Sequence, residues 1–96
     1  MNKLPAQYWI DFAGCEGYGT KGRSATIRTI EGEVVTGKDA SGRTTYAYGD
    51  GETDTEAVLE ALVGLGYTFD QAFDAAWDTV KQAARMTYTY CERNEG

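Results

Sequence analysis

Nine of the twelve glycines fall between Gly14 and Gly51, and only three follow. Glycine at that density breaks any helix and punctuates short extended segments with turns. The first half of the chain therefore has to be a series of strands. QYWIDF (7–12) is aromatic-rich and suits a strand. SATIRTI (24–30) and EVVTG (33–37) flank Glu31-Gly32, a two-residue hairpin turn. KDASGR (38–43) has turn composition, and TTYAY (44–48) follows as a fourth strand with Tyr46 and Tyr48 on one face. GDGET (49–53) closes the extended half.

The period then changes. Thr53-x-x-Glu56 is a capping box ahead of AVLEALVGLG. On a helical wheel Val58, Leu59, Leu62 and Leu65 share an arc, with Glu56 and Glu60 opposite. Gly66 suits the left-handed position that ends a helix. Thr68-x-x-Gln71 opens a second helix, whose apolar arc holds Phe69, Ala72, Phe73, Ala76, Trp77, Val80, Ala83 and Ala84. MTYTYC (86–91) alternates again and predicts a last strand. The expected fold is α+β in the order ββββααβ. It is an antiparallel sheet of four or five strands with a two-helix hairpin packed on one face. Ninety-six residues make one domain, 1–96, comprising an extended half (7–48), a helix hairpin (53–85) and a C-terminal strand (86–91).

Composition narrows the function. There is no histidine, which removes the Ser-His-Asp and Cys-His nucleophiles. Two cysteines, Cys15 and Cys91, are too few for a zinc site or a disulfide framework. They suit free thiols, with a single bridge left open. The N-terminal MNKLPAQYWIDF lacks the apolar stretch of a signal peptide, and no apolar run is long enough to span a bilayer. The expected setting is cytoplasmic, with no membrane partner.

Charge is lopsided. Residues 1–48 carry a formal +1 and residues 49–96 carry −7, which gives the net −6. The acidic half disfavours direct binding to nucleic acid, because phosphates are repelled. It favours a protein with a basic surface, or serves solubility alone as a solvated face. Asp70, Asp74 and Asp78 recur every fourth residue and stack on one helix face. Asp70 suits the dipole at the helix start, while Lys81 and Arg85 suit its end. Lys81 is placed to pair with Asp78. Glu60 and Asp74 are the least compensated, so an acidic site is expected to straddle both helices. Carboxylates about 6 Å apart along such helices can act as a nucleic-acid mimic. Catalysis by paired carboxylates needs a cleft and a raised pKa, which exposed helix faces do not supply. No enzyme activity, cofactor or metal is expected.

Gly17-Tyr18-Gly19-Thr20-Lys21-Gly22 fits G-x-G-x-x-G, but a strand follows it where the dinucleotide fold requires a helix. Strand–glycine loop–strand resembles the phosphate cover of protein kinases, whose other motifs are missing here. Three expectations remain: a loop whose Lys21 and Arg23 meet an anion, a contact loop presenting Tyr18, Lys21 and Arg23 to a protein, or a plain flexible connection. LVGLGYTFDQAFDAAW (62–77) resembles the helix–LGY–helix core of ubiquitin-associated domains and the similar C-terminal domain of a Holliday-junction protein. Leu65-Gly66-Tyr67 match the turn, and Ala72 and Ala76 the small residues after it. That resemblance implies two helices packed at an angle. The chain departs from those domains in lacking a third helix and in running its longer second helix into a strand.

In size, acidity and lack of catalytic residues the chain also looks like the small inhibitors that phages and mobile elements make against host defence nucleases. The resulting expectation is a non-catalytic binding module. It acts through Glu56, Glu60, Asp70, Asp74 and Asp78, with Tyr18, Lys21 and Arg23 in secondary contact. One alternative is a small nucleic-acid or nucleotide binder using the glycine loop, Arg28 and the sheet tyrosines. The other is a structural protein that forms homodimers or larger assemblies through an open sheet edge.

Overall fold

The computed structural model describes residues 4–15 and 22–91. The loop residues Tyr18 and Lys21 lie outside them. The strands are β1 (Tyr8–Cys15), β2 (Arg23–Thr29), β3 (Thr36–Lys38), β4 (Thr44–Tyr46), β5 (Tyr48–Gly51) and β6 (Arg85–Cys91). The helices are α1 (Asp54–Leu65) and α2 (Phe69–Gln82), between β5 and β6. The fold is α+β, as the change of period predicts. The sheet has four strands in the order β5-β2-β1-β6, and β3 and β4 form a separate two-stranded sheet.

Three differences in the strands have physical reasons. The main sheet is mixed, because β6 returns parallel to β1 after a helical crossover. The segment expected at 33–37 pairs only from Thr36, because Val34 and Val35 tie back to β2 through Arg28 and the Ile27 carbonyl. The expected strand 44–48 breaks at Ala47, whose carbonyl accepts from the Ile27 amide and whose amide donates to Val35. Tyr46 and Tyr48 are thereby sent to different sheets. The register also sets Cys15 opposite Cys91 at the ends of β1 and β6.

Ile10, Phe12, Ala25 and Ile27 form the helix-facing side of the sheet, and Val58, Leu62 and Leu65 close over them. Helix α1 lies very close to β5. A Cβ on Gly49 would meet the backbone of Ala61 and Glu60, one on Gly51 would meet Glu56, and one on Gly64 would meet the Tyr46 and Tyr48 carbonyls. These contacts run α1 back along β5 and require glycine at 49. Gly66 (φ 126°) ends α1, with its own amide and that of Tyr67 both donating to the Leu62 carbonyl.

Helix α2 packs on α1 through Ala72 and Ala76. Its C-terminal end is fixed to β1: the Tyr8 hydroxyl donates to the Thr79 carbonyl at 2.6 Å, and the Ala84 amide donates to the Tyr8 carbonyl at 2.8 Å. That attachment ends the helix at Gln82 and puts Arg85 at the start of β6. The expectation that Arg85 offsets charge at the end of α2 is corrected accordingly. The opposite side of the sheet carries Trp9, with the Arg85 and Arg28 guanidinium carbons 4.5 and 5.9 Å from its ring centroid. Asp11 joins three strands there, 3.4 Å from Arg28 Nε and accepting from Thr87 Oγ1 at 3.0 Å.

Candidate interaction face on the two helices

The N-terminus of each helix fixes the residues that follow it. Thr53 Oγ1 accepts from the Glu56 amide at 3.1 Å, and Glu56 Oε2 accepts from the Glu52 amide at 2.9 Å. At α2 the capping box is complete: Thr68 Oγ1 accepts from the Gln71 amide, and Gln71 Oε1 accepts from the Thr68 amide. With Phe69 as the first helical residue, the faces of α2 follow at 100° per residue.

Those faces differ from the expected arc. The buried row is Ala72, Ala76 and Thr79, with Val80 and Ala83 half-buried. Phe69, Phe73 and Trp77 are instead 60%, 66% and 60% exposed. Small side chains allow α2 to approach α1 closely, and a close approach along the alanine row leaves the bulky row outside. The rings of Phe69 and Phe73 stack, with centroids 6.4 Å apart.

The outer side of α2 therefore carries two parallel rows. Phe69, Phe73 and Trp77 form one, spanning about 12 Å of helix. Asp70, Asp74 and Asp78 form the other, one residue further on at each turn, and all three are exposed. Asp78 is paired with Lys81 at 3.2 Å, an exposed i,i+3 bridge. Among the described residues no cation pairs with Asp70, Asp74 or Glu60.

The aromatic row leads into a cleft of about 280 Å³. Leu59, Phe69 and Phe73 supply its apolar walls, Glu56 and Glu60 its acidic ones, and the Asp50–Gly51 end of β5 its remaining side. The cleft thus brings Glu56 and Glu60 of α1 to the start of the aromatic row of α2. Arg23, the one of the three loop residues that is described, opens β2 in register with Gly14 and Gly51. The residues that the helical wheel misplaces are Phe69, Phe73 and Trp77, which it puts on the core-facing arc; Leu59, on the arc of α1, packs partly buried against the core and also lines the cleft. The available signal was the continuous small-residue stripe Ala72-Ala76-Ala83 beside the bulky one.

Of the alternative site's described residues, Tyr46, Tyr48 and Tyr88 are exposed, while Arg28 and the Tyr48 hydroxyl have internal partners. Arg28 is held by Asp11 and by the Gly32 carbonyl at 2.9 Å, and Tyr48 donates to Asp50 Oδ1 at 3.2 Å. Among the described residues no group of three or more Asp, Glu or Cys side chains is placed to hold a metal, and no helix is long and apolar enough to cross a membrane. No protein family, curated protein or solved structure matches the chain.

Proposed function

We propose that this chain is a non-catalytic protein-binding module that engages a basic partner through the outer face of its two helices. The observation that carries this reading is the exposure of Phe69, Phe73 and Trp77 beside Asp70, Asp74 and Asp78. Covering one such aromatic is worth roughly 2–3 kcal/mol. A folded monomer gains nothing by leaving a contiguous row of them in water, and such rows mark interaction sites. Aromatic residues at the centre of a patch with charge at its margin are the usual composition of a protein interface.

The sign of the charge selects the partner. Carboxylates flank the aromatics on the α2 side and again across the cleft at Glu56 and Glu60, so an acidic or neutral surface is repelled or left unpaired. A nucleic-acid-handling protein has the complementary basic surface, and carboxylates on successive helical turns occupy it as phosphates do. Inhibitors of host defence nucleases, encoded by phages or mobile elements, act on surfaces of this kind.

The test is capture from the native host with the tagged chain, in parallel with a Glu56→Gln, Glu60→Gln, Asp70→Asn, Asp74→Asn variant. A partner retained by the first and lost by the second, at unchanged circular dichroism, supports the reading. A partner held equally by both contradicts it.

A further inference from the structure

The cleft between Glu60 and the Phe69–Phe73 pair has a more specific chemistry than the face as a whole. Its volume of about 280 Å³ lies just under the roughly 300–1,000 Å³ of small-molecule sites. One long side chain entering from a partner is the occupant of matching size. Its walls make opposite demands: Leu59, Phe69 and Phe73 require apolar contact or stacking, while Glu56 and Glu60 require hydrogen-bond donors and positive charge.

Each candidate side chain can be weighed against those walls. An apolar anchor meets the rings but desolvates Glu60 with nothing in return. Lysine answers one carboxylate as a point charge and stays strongly hydrated. Arginine meets both demands. Its planar guanidinium stacks on aromatic faces, its five N–H donors form a fork that matches a carboxylate, and its methylene stem packs on apolar surface. Glu56 already spends one oxygen on the Glu52 amide, so Glu60 is the principal acceptor.

We infer that this cleft receives the guanidinium of an arginine side chain from a protein partner, stacked on Phe69 and Phe73 and held by Glu60. The inference rests on reading the helix face as a protein-docking surface, and it names the residue by which that surface selects its partner. Charge complementarity fixes the occupant: all three titratable residues of the lining, Asp50, Glu56 and Glu60, are acidic.

The experiment is an amide-shift titration of the isotope-labelled chain with N-acetyl-arginine methylamide, in parallel with the lysine and norleucine analogues. The arginine probe should give saturable shifts confined to Gly51, Leu59, Glu60, Phe69 and Phe73. The lysine probe should bind about tenfold more weakly, and Glu60→Gln should weaken arginine binding about tenfold. Equal shifts with norleucine would mark a plain apolar groove and overturn the inference. So would equal shifts with lysine, or no shifts with arginine. If arginine fails here while carboxylate-dependent capture succeeds, only this inference falls. If arginine binds while capture is indifferent to the carboxylates, the docking reading falls, and with it the assignment of that arginine to a protein partner.

Discussion

Phe69 and Phe73 stack 6.4 Å apart on the outside of α2, with both rings more than half in water. An i,i+4 aromatic pair stabilises a helix by only about 0.2–0.5 kcal/mol, far less than burial of the same rings would give. Trp77 extends the row by another turn at the same exposure. The helix is held by its other side, where Ala72 and Ala76 meet α1 and the Tyr8 hydroxyl meets the Thr79 carbonyl.

The division of α2 into a holding side and an outer side predicts contrasting stabilities. Phe73→Ser and Trp77→Ser should each change the unfolding free energy by no more than about 0.5 kcal/mol. Ala76→Leu, on the buried row, should cost about 1–3 kcal/mol through overpacking. Denaturant midpoints of the three variants give the comparison. A loss of several kcal/mol from Trp77→Ser would mean that the aromatic row is part of the core.

Gly49 sets the distance between α1 and the sheet. A methyl there would meet the backbone of Glu60 and Ala61, which cannot rotate away as a side chain can. Gly49→Ala should therefore destabilise the fold by about 3 kcal/mol, at the upper end for overpacking. It should also disturb the cleft, because Leu59 and Glu60 move with the helix. Gly42→Ala is the control. It strains a positive φ of 86° but meets no atom within 4 Å. It should cost less, and a reversed order by chemical denaturation would contradict the packing described.

Tyr8 is a buried anchor with a pH signature. Tyr8→Phe keeps the ring and removes the hydrogen bond to Thr79, at a cost of about 1–2 kcal/mol with the carbonyl left unpaired. Burial of the phenol, reinforced by the nearby Tyr67, raises the Tyr8 pKa above its ordinary 10.0. Above pH 10.0 the unfolded chain then holds fewer protons than the folded one. The contribution is complete below that pH and is lost as pH rises through the folded pKa. Unfolding curves on either side of pH 10.0 should show a steeper alkaline loss for the wild type than for Tyr8→Phe. Parallel losses would mean that the phenol is solvated.

Much of this architecture was legible from local chemistry. Thr53 and Thr68 announced both helix starts, Gly66 the end of the first, and alternation in MTYTYC the last strand. Two things were not legible. The parallel pairing of β6 depends on where the α2 crossover delivers the chain, and no short-range pattern records that. The facing of α2 was ambiguous because the wheel places its aromatic and alanine rows side by side. Only the packing of α1 close on Gly49 and Gly51, and the contact of α2 with α1, decides which row is buried. The exposed row of Asp70, Asp74 and Asp78 was legible from spacing alone. Their aromatic neighbours were misassigned for the same reason that α2 was misfaced.

The central claim is that the aromatic and acidic rows bind one partner together. The most direct measurement is the affinity of the captured partner for three proteins: wild type, Phe73→Ser/Trp77→Ser, and Glu60→Gln/Asp74→Asn. Each double variant should bind at least about 100-fold more weakly, as expected when residues of the hot-spot class are lost, with unchanged thermal unfolding. The loss in the carboxylate variant should shrink as salt is raised, while that in the aromatic variant should not. Affinities within about twofold of wild type for either variant, a difference of under 0.5 kcal/mol, would contradict the account.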